Sequence, residues 1–422
     1  MQDSTALTAI QKKLIGKTLN YKEIFSIMDE ISHQRLGTIL TTYFAASGYV
    51  QGFTNTELYY LTEAMIKTGD TLKFNGIVAD KHSIGGVPGT RTTLIVVPII
   101  AAAGFKIPKS SSRAITSAGG TANDMEVLSP VTFNKDQIYK IIEKTNGCIV
   151  WGGGVDIAPA DDELIKVEEP LGLESFDKIL VSIMAKKIAF GSNHILIDLP
   201  YGKYVKVHSL HDAEQLKNKF EYLAKKFSIK LEVLIHKTDE PTGRGIGPLL
   251  EARDGLMVLE QKENRPLDLE KRSLNIAGLL LDLCLKDSSA TLREKIEKEF
   301  ETGRNWAKYI LRSGHALKKM REIIGAQGGN SDIISDHMKP AKHSHSVLSK
   351  KNGIIKKINS HHAIKIAKIL GAPNHMTSGV YLEHKIGENT IVGKPIYTLY
   401  SENMYNLKEA IESLKNYPIL EY

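Results

Sequence analysis

Asp80-Lys81-His82-Ser83-Ile84-Gly85-Gly86-Val87-Pro88-Gly89-Thr90-Arg91-Thr92-Thr93 is the stretch from which the fold reads outward. Ahead of it, Gly76-Ile77-Val78-Ala79 is a short apolar run. Behind it, Thr92 to Gly104 is apolar enough for a buried helix, with Pro98 inside. Strand, glycine-rich loop and helix in that order make an anion-binding turn. Glycines let backbone N–H groups approach the anion, and the helix presents its positive end. Lys81 would add a charge, and Ser83 and Thr93 two hydroxyl donors. The plain alternative is a tight strand-to-helix connection. Neither the Walker spacing nor G-x-G-x-x-G is present, so nucleoside triphosphate and dinucleotide readings fall.

A second constellation follows in Lys109-Ser110-Ser111-Ser112-Arg113-Ala114-Ile115-Thr116-Ser117-Ala118-Gly119-Gly120-Thr121, with six hydroxyls, an arginine and a Gly-Gly pair in thirteen residues. Such donors suit a phosphate or a sugar, or else form a solvated serine-rich loop. Further on, Ser182 and Lys186 stand four residues apart on a predicted helix, so both can face one ligand; an ordinary exposed polar face is the alternative.

Around these motifs, helix and strand alternate: Lys135 to Lys144 and Ile179 to Phe190 read as helices, Cys148 to Trp151 and Ile195 to Asp198 as strands. That pattern predicts an α/β domain with a central mixed sheet. Residues 1–68 carry helical periodicity in three segments, at Ile24 to Ile31, Leu36 to Phe44 and Thr56 to Thr68, and Thr54 and Asn55 ahead of Glu57 make a cap for the third. The expected organisation is a small all-helical domain over 1–68, completed by about 160–190, and an α/β domain over 69–159 and 191–338. A β-rich C-terminal subdomain over 339–422 is expected from Gly353-Ile354-Ile355, Gly379 to Leu382 and Pro395 to Leu399. No repeat or low-complexity tract is seen.

The chain has 422 residues, 42% hydrophobic and 24% charged, which is ordinary globular composition with room for more than one domain. Two cysteines, Cys148 and Cys284, form no C-x-x-C pair and suggest a reducing cytoplasm. The start of the chain lacks a signal-peptide core, and Leu94 to Phe105 is too short to span a bilayer, so no membrane association is expected. A net charge of +7 is scattered among acids and makes no nucleic-acid stripe; it suits small phosphorylated substrates. His343, His345, His361 and His362 lack an acid at ligand spacing, so no metal is assigned.

KHSIGGVPG followed about thirty residues later by SSRAITSAGGT resembles the thymidine phosphorylase superfamily, specifically its AMP phosphorylase-like branch. The likeness continues through Val150 to Gly154, Ala158 to Asp162, Ser182 to Lys187 and Gly247 to Ala252, nearly the whole chain. It implies a helical domain facing an α/β domain across an active-site cleft, phosphate as co-substrate, no cofactor, and a homodimer paired through the helical domain. Phosphate would be held by Lys81, Ser83, Gly85, Gly86, Thr93, Ser111 and Thr121. The nucleoside or nucleotide would meet Ser112, Arg113, Ala114, Ile115, Thr116, Ser117, Ser182, Lys186 and Lys206. His82 would face sugar and base.

Departures from the family pattern shape the expectation. Thymidine phosphorylases place an arginine at the position aligning with Val167, and none lies between Leu164 and Lys178. The branch's proton-donating aspartate aligns with Glu174, one methylene longer. Asn123 stands where relatives carry an aspartate, with Asp124 beside it. Many members carry a further N-terminal domain, and this chain starts at the helical one. The expected reaction is phosphate-dependent cleavage of the N-glycosidic bond of a nucleoside 5′-monophosphate or nucleoside, giving free base and a ribose or deoxyribose 1-phosphate, with Glu174 or His82 as proton donor. Thymidine phosphorolysis, an anthranilate-type phosphoribosyltransferase, and a catalytically silent nucleotide-binding protein are the alternatives.

Overall fold

Four helices open the chain, α1 (Ser4–Leu14), α2 (Tyr21–Ser32), α3 (Gly37–Gln51) and α4 (Asn55–Lys67). The computed structural model describes residues 4–89, 91–114, 117–173 and 175–422. Thr54 caps α4 by accepting from the Glu57 N–H, while Glu57 accepts from the Thr54 N–H. This reciprocal pair satisfies two orphaned donors and is worth about 1 kcal/mol. Three helical segments are expected from the sequence and four are found. The buried positions of α1, Ala6, Ala9, Ile10 and Lys13, keep helical spacing but include a single large apolar residue, so its stripe is faint. Its anchor is ionic: Lys13 Nζ lies 2.9 Å from buried Glu57.

The middle of the chain runs β1 (Ala79–Ser83), α5 (Thr93–Ala102), β2 (Ile107–Ser111), α6 (Thr121–Glu126), α7 (Lys135–Thr145), β3 (Gly147–Trp151), α8 (Pro159–Glu168), α9 (Phe176–Ala189), β4 (His194–Tyr201), α10 (Leu210–Lys226) and β5 (Lys230–Lys237). After them come β6 (Gly245–Ile246), α11 (Pro248–Leu259), α12 (Leu267–Lys286), α13 (Ala290–Phe300), α14 (Gly303–Arg312) and α15 (His315–Ala326). β4 lies between β1 and β5, and β2 pairs with β3. A bridge from Val78 to Lys106 links the two groups, so the strands lie in the order β3-β2-β1-β4-β5. Every one of these pairings is parallel. Helical crossovers between successive strands require that. The antiparallel pairing that makes the molecule mixed belongs to the tail.

Alternation along β4 explains the layers. Ile195, Ile197 and Leu199 enter a core shared with the helical bundle and α10, whereas Leu196 enters a second core with α5, α11, α12 and α15. α8 and α9 pack on α2, α3 and α4, completing the bundle from later in the chain. In the tail, residues 343–348, 379–382 and 395–401 form an antiparallel sheet with β6. Helices Ser360–Ile369 and Met404–Ser413 cover it around a third core. No described helix is long and apolar enough to cross a membrane.

The topology selects where a ligand sits. The connection after β1 turns toward β2, and the one after β4 turns toward β5. The crevice at the carboxyl ends of β1 and β4 is therefore the switch point at which parallel sheets bind ligands. Ser83 and Asp198 occupy it as a registered pair.

Candidate active site

Because side chains alternate along β1, its polar residues divide between two faces. On one face, buried Asp80 meets Lys187 of α9 at 3.0 Å and Lys109 of β2 at 3.6 Å. Lys187 also donates to the Ser110 carbonyl at 3.1 Å and to its hydroxyl at 3.2 Å. On the other face, buried Lys81 donates to the Thr93 hydroxyl at 3.2 Å. Two buried ammonium groups thus share Asp80, and a third, Lys81, is buried on the opposite face of the same strand. Burial pushes Lys81 down to about 8, against the attraction of Asp198. Burial, with the repulsion of Lys187 and Lys81, pushes Lys109 well below the ordinary lysine range despite Asp80. The same burial, then Lys187, Lys109, Lys81 and Lys206, drive His82 well below the usual imidazole value, so it is neutral.

At the switch point Ser83 Oγ donates to Asp198 Oδ2 at 2.6 Å. Arg272 of α12 reaches both carboxylate oxygens, at 3.1 and 3.0 Å, and His236 Nε2 of β5 lies 2.9 Å from Oδ1. Burial alone would raise the Asp198 carboxyl; Arg272, His236 and Lys81 overcome it and hold the group ionised below the usual carboxylate range.

Glycines set how closely the loops pack. Gly86, at φ +89°, has the Lys206 nitrogen 3.0 Å from where a Cβ would stand, so the turn after β1 lies directly against the 205–206 segment. Gly85 is likewise left-handed at φ +68°. Gly120 leaves 2.5 Å between a Cβ and the Ala114 nitrogen, pressing the 112–114 loop onto the start of α6, where Thr121 is the first residue. Asn123 Oδ1 closes that loop by accepting from Ala114 N at 2.7 Å and Gly120 N at 3.2 Å. Asp124 points elsewhere. It pairs with Arg91, whose Nε lies 2.5 Å from Glu251 of α11 and whose Nη2 donates to the Gly119 carbonyl at 2.5 Å. One buried guanidinium therefore joins the approach to α5, the second loop and α11.

Of the residues singled out from sequence, Lys81, Ser83 and Thr93 gather at the carboxyl end of β1, beside Gly85, Gly86 and Lys206. Ser111 ends β2, and Ser112, Arg113 and Ala114 follow it. Arg113 pairs with Glu126 at 2.6 Å and lies over the Trp151 ring. Ser117 donates to the Gly119 carbonyl at 2.6 Å. Ser182 and Lys186 share a face of α9, as their spacing predicts, and both engage α8: Ser182 donates to Asp161 at 2.6 Å, and Lys186 meets Asp161 at 2.8 Å and Asp162 at 2.9 Å. Burial would raise Asp161, but Lys186 and Lys178 hold it below its usual range. Ile115, Thr116 and Glu174 lie outside the described residues.

Sequence reading missed Asp80, Lys109 and Lys187, and the Asp198–Arg272–His236 group. A signal existed for two: a charged residue in each of two short buried strands, Ala79–Ser83 and Ile107–Ser111, is costly unless paired. Among the described residues no three His, Cys, Asp or Glu side chains stand together as a metal site.

Comparison with known proteins adds three findings. The family model described as glycosyl transferase family, helical bundle domain, matches residues 7–69, and the glycosyl transferase family a/b domain matches residues 75–317. The AMP phosphorylase of Thermofilum pendens is 41% identical over 97% of this chain and 76% of its own. That of Methanocaldococcus jannaschii is 41% identical over 98% and 80% respectively. A putative thymidine phosphorylase of Legionella pneumophila is 39% identical over 97% and 77%. The solved anthranilate phosphoribosyltransferase of Thermus thermophilus shares the fold at TM-score 0.60 and 15% identity, over 76% of this chain and 99% of that one.

Proposed function

The chain belongs to the glycosyl transferase family whose helical bundle and α/β domains it carries, and from that premise we propose that it is a phosphorylase of AMP phosphorylase type. In this reading inorganic phosphate cleaves the N-glycosidic bond of a nucleoside 5′-monophosphate, releasing the base and a pentose 1-phosphate. The observation that carries it is the excess of buried positive charge at the carboxyl end of the sheet. Lys109 and Lys187 share Asp80, and Lys81 and Arg272 have only Asp198 between them. Buried charge without a full complement of partners calls for an anion.

Phosphate is already a nucleophile and needs no base. An oxygen attacks C1′ as the bond to the base nitrogen loosens toward an oxocarbenium-like state, and the bonding pair departs with the base. That base must receive a proton. A neutral His82 donates a hydrogen bond but has no imidazolium proton to transfer, which favours Glu174 as the acid. Lys206 and the 112–117 loop are the proposed second anion site, for the 5′-phosphate, and Ser182 and Lys186 the proposed base contacts.

The test is incubation with phosphate and AMP, CMP, UMP, thymidine or uridine at equal concentration, following free base and pentose 1-phosphate. Absence of phosphate-dependent base release from all five overturns the proposal. Thymidine faster than every monophosphate overturns the nucleotide preference alone. We further propose that the chain acts in the cytoplasm as a homodimer, since Ile15, Ile39, Tyr43 and Val50 of the helical bundle are exposed. A single-subunit mass in light scattering refutes the pairing.

A further inference from the structure

Ser83 has one proton, and the structure shows where it goes. Asp198 Oδ2 accepts it at 2.6 Å. The carboxylate cannot reverse the bond, because Arg272 holds both its oxygens and His236 lies against one, which keeps it ionised. An ionised carboxylate is acceptor only, so Ser83 Oγ is left with lone pairs to offer. The pair sits at the switch point, with Ser83 two residues before the Gly85–Gly86 turn. Lys81 and Thr93 approach from the same face of β1.

We propose that Ser83, oriented by Asp198, acts as a hydrogen-bond acceptor that selects a protonated anion: monohydrogen phosphate binds with its P–OH donating to Ser83 Oγ. This rests on the phosphate-site reading above and specifies the form of phosphate taken. The unprotonated oxygens then face Lys81 and the other cations, where an oxygen is free to attack. Sulfate and fluorophosphate have similar size and charge and carry no acidic proton at mildly alkaline pH. Against a lone-pair acceptor they lose the hydrogen bond and meet repulsion. The site thus distinguishes phosphate from sulfate through a proton on the ligand. Asp198 is a positioning residue in this scheme.

The experiment is calorimetric binding of phosphate, sulfate and fluorophosphate to the full chain at mildly alkaline pH, in the parent and in Ser83→Ala, Asp198→Asn and Lys81→Ala. In the parent, phosphate is expected to bind at least about ten-fold more tightly than either proton-free anion. Ser83→Ala is expected to weaken phosphate by about that factor while leaving sulfate and fluorophosphate within about two-fold, closing the gap. Asp198→Asn should narrow it too, since an amide no longer fixes the hydroxyl's direction. Equal weakening of all three anions by Ser83→Ala means that Ser83 donates, and overturns the inference alone. Phosphate affinity unchanged in Lys81→Ala overturns the phosphate site beneath it.

Discussion

Raising the pH through about 8 in the absence of phosphate discharges Lys81, because burial brings its ammonium down from 10.5 to about 8. At about 1.4 kcal/mol per pH unit, keeping that charge at neutral pH costs about 3 kcal/mol relative to water. A phosphate dianion against Nζ offsets the cost, so binding at about pH 8 draws about half a proton per chain onto Lys81, and about one proton near pH 9. The count is read from calorimetric titrations in buffers of different ionisation enthalpy, and phosphate KM should climb about ten-fold per pH unit above about 8. Between about 8 and 10.5 the unfolded chain holds more protons on this residue than the folded one. Without phosphate, therefore, stability rises with pH across that window by up to about 3 kcal/mol, and below it the penalty is present in full. Zero proton uptake between about pH 8 and 9, with KM flat over the same range, would refute the assignment of Lys81 as a buried charge awaiting an anion.

Three other outcomes follow from the same geometry. Lys109→Met and Lys187→Met should each raise phosphate KM by at least about ten-fold yet leave thermal stability unchanged or improved, because each removes one of several mutually repelling buried charges; a large drop in Tm with normal KM contradicts this. Arg91→Met strands Asp124 and Glu251 and should destabilise the fold by about 3–5 kcal/mol in denaturant titration, whereas Glu251→Gln should be far milder. Glu174→Gln should lower kcat more than it changes nucleotide KM; if His82→Gln shows that split and Glu174→Gln is silent, the acid is His82.

How far the sequence carried depended on the range of the interaction. The strand, glycine loop and helix around Lys81 were legible because each step is local: an apolar run, left-handed glycines, a buried helix. The common face of Ser182 and Lys186 followed from helical spacing, but its partner, Asp161 on α8, did not, since nothing in spacing says which other element a helix meets. The lysine cluster was illegible for the same reason: Asp80, Lys109 and Lys187 come from β1, β2 and α9, and only the parallel order of the strands brings them together. α1 escaped because an ion pair stands where a stripe of large apolar residues is expected.

Asn123 shows how a departure from a family pattern is resolved by geometry. Both its neighbours, Ala114 N and Gly120 N, are N–H donors, so its amide oxygen must face them. Asp124 is not a substitute for it, being committed to Arg91 on another side of the short helix. What the loop requires is an acceptor oxygen at position 123, and asparagine and aspartate both supply one. They differ in charge: an aspartate would add a negative group behind a loop proposed to hold an anion, and asparagine gives the same closure without that repulsion. The substitution is therefore compatible with the loop's geometry, and it lowers the electrostatic cost of bringing a phosphorylated ligand to Ser112 and Arg113.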